Sequence, residues 1–157
     1  MIRAAQEHEI ALVRTLFLEY AQSLGFSLCF QGFQLELDEL PGRYGPPRGQ
    51  LLLAFNGDDA MGVVALRTLD ENTAEMKRLY VRPEYRGRKL GRHLAQAIID
   101  EARQLGFQSI KLDTVPTMVE ARKMYESMGF AEIAPYYDNQ GKSICMELPL
   151  TSDLDQR

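Results

Sequence analysis

The chain has 157 residues, of which 45% are hydrophobic and 25% charged, which suits one soluble domain with a single core. Its net charge of −4 argues against a general nucleic-acid binder, and no apolar run approaches the ~20 residues of a membrane span. Cys29 and Cys145 have neither CxxC spacing nor a nearby histidine, so reduced thiols are expected and no metal site is predicted.

The first ten residues, MIRAAQEHEI, lack an apolar signal core, which predicts a cytoplasmic protein. Residues 2–5 fit a short strand. From residue 7 to 24 the apolar positions Ile10, Val13, Phe17, Tyr20 or Ala21, and Leu24 trace one helical face, and Gly25 is placed to end it. Residues 33–40 are predicted as a short helix. Pro41, Gly42, Gly45, Pro46, Pro47 and Gly49 then make a rigid loop. Strands are expected over 51–55 and 60–69, joined by an Asn56-Gly57 turn, and again over 73–81 after Asp70-Glu71-Asn72. These three strands read as an antiparallel meander.

A helix of about four turns follows, with Leu90, Leu94, Ala97 or Ile98, Ala102 and Leu105 on one face and Gly106 at its end. Residues 109–114 alternate as a strand. A helical crossover joins it to 73–81, so the two strands should be parallel. Met118, Ala121, Met124, Tyr125 and Met128 line a second helix closed by Gly129. Two last strands, 130–134 and 143–148, flank the polar loop PYYDNQGK. The expected class is α+β, one domain over 1–150 with a polar tail over 151–157.

Charge is concentrated in one place. Between Met76 and Arg92 stand seven basic residues (Lys77, Arg78, Arg82, Arg86, Arg88, Lys89, Arg92) and one acid, Glu84. That segment is at +6 and the rest of the chain at −10, from 18 basic and 22 acidic residues in total. Gly87 and Gly91 permit close backbone approach, and the following helix turns its first N–H groups toward the loop. The combination suits a bound anion such as a diphosphate, with a solvated basic turn as the bland alternative. The phosphate loop GxxxxGK[ST] and the dinucleotide fingerprint GxGxxG are both absent.

Arg86-Gly87-Arg88-Lys89-Leu90-Gly91, placed after the strand EMKRLYV, resembles the acyl-CoA signature Gln/Arg-x-x-Gly-x-Gly/Ala of the GNAT superfamily of N-acetyltransferases. Lys89 stands where that signature has its central glycine. MVEARKMYESMGF is similar to the family's second segment through Ala121, Tyr125, Gly129 and Phe130, with Met118 replacing a frequent asparagine. The resemblance implies a mixed, mostly antiparallel sheet flanked by helices, with a splayed parallel strand pair at the coenzyme site. It implies acetyl-CoA as co-substrate and no metal. Leu79, Tyr80, Val81, Arg86, Gly87, Arg88, Lys89, Leu90, Gly91, Arg92, Met118 and Ala121 would bind it, with the Leu79 N–H donating to the thioester oxygen. Tyr125 would be the general acid and Glu75 the base, the alternatives being a core aromatic and a solvent-facing strand glutamate. Phe30, Gln31, Tyr136, Tyr137 and Asp138 are candidates to meet a small-molecule or peptide amine acceptor. Neither nucleic acid nor membrane is expected as a partner, and the chain would be a monomer or homodimer. A non-catalytic acyl-CoA sensor or scaffold is the alternative, with a nucleotide-binding regulator third.

Overall fold

The computed structural model describes residues 1–24, 33–136 and 143–150. The element order is β1 (Ile2–Ala4), α1 (Ile10–Ser23), α2 (Phe33–Glu39), β2 (Gln50–Asn56), β3 (Asp59–Asp70), β4 (Thr73–Val81), α3 (Leu90–Gln104), β5 (Ser109–Thr114), α4 (Val119–Ser127), β6 (Ala131–Ile133) and β7 (Ile144–Pro149). Gly25 lies outside the described residues. Gly106 and Gly129 follow α3 and α4 at φ +89° and +105°, the left-handed geometry that ends a helix without a Cβ clash.

The strands form one seven-stranded sheet in the order β1-β2-β3-β4-β5-β7-β6. All neighbours are antiparallel except β4 and β5, which the α3 crossover makes parallel. That junction is short. Thr73, Ala74 and Glu75 pair with Ser109, Ile110 and Lys111, and the pairing stops there. The sheet is thus a four-stranded half and a three-stranded half joined by three rungs.

Each face carries its own core. α3 and α4 bury Leu94, Ile98, Ile99 and Tyr125 against Leu52, Leu66, Met76, Ile110 and Leu112. α1 and α2 bury Val13, Leu16, Phe17, Phe33 and Leu37 against Leu51, Leu53, Val63 and Ala65 on the opposite face. Each such side chain contributes ~1.5–3 kcal/mol of hydrophobic stabilisation. Along β5 the alternation sends Ile110, Leu112 and Thr114 inward, while Ser109, Lys111 and Asp113 stay half-buried. Among the described residues no helix is long and apolar enough to cross a membrane.

Candidate active site

The site begins with an irregularity in β4. Val63 pairs with Tyr80, yet Ala65 pairs with Lys77, so β4 carries one residue more than β3 across this interval. Arg78 supplies the kink, with a left-handed φ of +58°. That geometry costs a non-glycine residue ~1–2 kcal/mol, so the surroundings must hold it. Glu36 of α2 does so with two hydrogen bonds, 2.9 Å from Arg78 Nε and 3.0 Å from Nη2. The guanidinium also lies 5.2 Å from the centroid of the Phe33 ring. Burial works against its charge, but the Glu36 hydrogen bonds and attraction outweigh burial and hold its pKa above the ordinary arginine value.

Past the bulge, the Arg82 N–H donates to the Met61 carbonyl at 2.8 Å. Antiparallel pairing alternates, so Tyr80 also turns its backbone to β3, while Leu79 and Val81 turn theirs to the other edge. There β5 has already diverged. The Val81 carbonyl is met on that side by Arg86 Nε at 3.0 Å. The result is a wedge between β4 and β5 with a length of strand edge along one wall. Tyr80 stands apart from that edge. Its side chain belongs to the α1/α2 core and its hydroxyl reaches Glu19 at 3.3 Å.

The basic loop closes the wide end of the wedge. Pro83–Tyr85 makes a single 3-10 turn, Gly87 has φ +87° and Lys89 has φ +60°. Lys89 precedes α3 directly and adopts the left-handed conformation that a glycine would take without strain. Leu90, Gly91 and Arg92 form the first turn of α3, whose free N–H groups face the loop. Arg92 leaves the loop, donating to Ser127 Oγ of α4 at 2.7 Å. Arg88 lies 5.7 Å from the Tyr85 ring centroid. A Cβ built on Gly87 meets nothing within 4 Å, so the loop has open space on that side. We therefore expect Gly87→Val to leave the thermal midpoint within a few degrees but to weaken binding of the diphosphate ligand expected from the sequence about tenfold, because the strained φ and the new methyls fall on the open side of the loop. Calorimetric titration that returned the wild-type affinity would contradict this.

α4 packs on the same face of the sheet as α3. Met118 is its N-cap and Ala121 is half-buried against the core. Tyr125 is 7% exposed and packs edge-on against Phe130, with ring centroids 5.7 Å apart. Burial, then Tyr20 and Asp113, push its phenol pKa above the ordinary range. Tyr20 belongs to α1, whose core lies on the opposite face of the sheet from that of α4.

Glu75 is not a solvent-facing strand residue. It is 0% exposed and stands on the last β4–β5 rung. Arg67 Nε lies 2.6 Å from Oε1, the Tyr136 hydroxyl donates to Oε2 at 2.8 Å, and Lys77 Nζ is 4.0 Å from Oε2. Lys77 also pairs with Asp113 at 3.2 Å. Sequence reasoning missed Arg67, although counting back from the Asp70-Glu71-Asn72 turn places it opposite Glu75. It also missed the Arg78–Glu36 pair, 42 residues apart, for which no local signal exists. Phe30, Gln31, Tyr137 and Asp138 lie outside the described residues. Beside α2, Leu35, Glu36, Glu39, Arg43, Tyr44 and Arg67 line a cavity of about 250 Å³. Among the described residues no cluster of His, Cys, Asp and Glu could hold a metal ion.

A family model described as "Acetyltransferase (GNAT) family" matches residues 12–130. An uncharacterized N-acetyltransferase of Schizosaccharomyces pombe is 43% identical over 128 residues, covering 80% of this chain and 78% of its own length. Among solved structures, a GNAT-family acetyltransferase of Staphylococcus aureus superposes with a TM-score of 0.80 at 21% identity, covering 96% of this chain and 99% of that one. A Bacillus subtilis acetyltransferase solved in complex with CoA gives a TM-score of 0.59 at 22% identity, covering 66% of this chain and 78% of that one.

Proposed function

The chain belongs to the GNAT acetyltransferase family, and from that premise we propose that it transfers an acetyl group from acetyl-CoA to a primary amine by direct attack in a ternary complex. The observation that carries this reading is the edge of β4 beyond the bulge. Leu79 and Val81 offer backbone donors and acceptors there, and the edge leads straight into a loop with two left-handed residues and a helix N-terminus.

Acetyl-CoA, when bound, supplies an acetyl group already activated as a thioester. Leu79 and Val81 hold its pantetheine arm as a neighbouring strand would, beside Met118 and Ala121. The backbone N–H groups of residues 86–92 hold the pyrophosphate, and the surrounding arginines neutralise it. Binding there requires the Arg86 side chain to leave the Val81 carbonyl, which frees its guanidinium for the phosphates. The Leu79 N–H donates to the acyl oxygen, where negative charge develops. Tyr125 retains its proton because burial disfavours the phenolate, so the acid is loaded before reaction. The sulfur that needs this proton would leave into the same dry opening, where its own negative charge is equally disfavoured. Glu75 takes the proton lost by the amine. Phe30, Gln31, Tyr136, Tyr137 and Asp138 provide the acceptor side, for a small-molecule or peptide amine. We place the protein in the cytoplasm, as a monomer or homodimer.

One observation favours a second reading, a CoA-binding sensor without turnover: the Glu75 carboxylate is held from several sides by Arg67, Lys77 and Tyr136. A thiol-release assay with acetyl-CoA and a panel of primary amines separates the two. Amine-dependent release supports the transferase. Saturable acetyl-CoA binding with no release across the panel supports the sensor.

A further inference from the structure

Glu75 has a difficulty as a base. Its side chain is 0% exposed, so an amine in the cleft cannot touch it. One neighbour of its carboxylate is less deeply buried. Tyr136, just beyond β6, is half-buried and hydrogen-bonds Glu75 Oε2 at 2.8 Å. Its ring is held in place by Lys111, whose Nζ lies 5.1 Å from the ring centroid. Its backbone N–H contacts buried Cys145 on β7. The carboxylate is itself fixed by Arg67 of β3 and Lys77 of β4, so donor and acceptor in this bond are both anchored. Other charged groups on this face include Asp113, paired with Lys77, Glu147, opposite Lys111 on β7, and Glu36, Glu39 and Arg43, which share a cavity with Arg67.

We propose that Tyr136 is a catalytic proton relay between the acceptor amine and Glu75. This rests on the transferase reading above. As the amine nitrogen bonds to the acetyl carbon, it loses a proton to the Tyr136 oxygen. In the same event the Tyr136 hydroxyl proton moves to Glu75 Oε2, so the phenol ends neutral and the carboxylate ends protonated. The carbon–sulfur bond breaks, the sulfur takes its proton from Tyr125, and the sums are an amide and a free coenzyme thiol. After product release Glu75 returns its proton outward through the Tyr136 hydroxyl, and Tyr125 regains one from water entering the emptied cleft.

The test compares the wild type with Tyr136→Phe, Glu75→Gln and the double variant. Phenylalanine keeps the ring over Lys111 and removes only the hydroxyl. The relay requires kcat to fall at least about tenfold in Tyr136→Phe with the acetyl-CoA KM within about twofold. It also requires the double variant to be no slower than Glu75→Gln alone, since the two groups act as one path. An independent readout uses the protein without coenzyme. The infrared carboxylate stretch of Glu75, identified by its loss in Glu75→Gln, should shift in Tyr136→Phe. Wild-type kcat in Tyr136→Phe, a rise in amine KM alone, or an unshifted Glu75 band each overturns the relay while leaving the transferase reading intact. Absence of acetyl transfer by the wild type across the amine panel overturns both.

Discussion

Tyr125→Phe is expected to lower kcat by about 10²–10³-fold while acetyl-CoA binds with near-wild-type affinity. The substitution removes one oxygen and leaves the ring where it packs on Phe130. Stability should therefore change little, and any loss of rate belongs to the missing proton. A hundredfold loss corresponds to about 2.7 kcal/mol of barrier. Without the phenol, the sulfur would have to depart as an anion into a gap lined by buried groups, with water as the only replacement donor. Single-turnover measurements make the result decisive, because they isolate the chemical step from product release. An unchanged single-turnover rate would remove Tyr125 from the mechanism and leave it as a core aromatic.

The second large effect comes from a residue that never meets the ligand. A Cβ on Gly62 would lie 2.6 Å from the Tyr80 carbonyl oxygen, 3.3 Å from the Val81 Cα and 3.1 Å from Leu94 Cδ1. Two of those three atoms are backbone, so no side-chain rotation relieves the crowding. Gly62 pairs with Val81 in the register, which means the strain falls on the last residues of β4. Gly62→Ala should cost about 1–3 kcal/mol of stability, or several degrees in Tm. Pushing Val81 outward should also raise the acetyl-CoA KM about tenfold or more, by moving the edge proposed to hold the coenzyme. A thermal scan and an acetyl-CoA titration on the same sample check both halves. An unchanged Tm would mean that β3 and β4 do not approach this closely.

Much of this arrangement is legible before any coordinates. Thr73–Val81 and Ser109–Thr114 are readable to the residue, because their alternation is bounded by turn residues on one side and by a basic loop or proline on the other. Their parallel pairing follows from the α3 crossover. The backbone of the basic loop is legible because it rests on residue types with fixed conformational consequences, and Lys89 takes a left-handed geometry that a glycine adopts without strain. Other features depend on register or on long-range contact. Glu75 looks like any exposed strand carboxylate until Arg67 is placed opposite it across the turn. The bulge at Arg78 has no local sequence mark at all. Its conformation is secured from α2, 42 residues upstream, by Glu36. Gly62 is equally silent, since its role is set by the carbonyl of Tyr80 and not by its own φ.

The three rungs between Thr73–Glu75 and Ser109–Lys111 carry one more implication. They leave the junction between the half-sheets no better cross-linked than the sheet's two outermost pairings, β1–β2 and β6–β7, and the proposed coenzyme slot lies on that same line. A strand-like ligand seated there would supply the hydrogen bonds that β4 and β5 no longer give each other. Ligand affinity and folding stability then become two readings of one free energy, since whatever binds only the closed sheet also resists its opening. For such a protein, the cellular supply of acyl donor would govern not only how fast it works but also how long it survives.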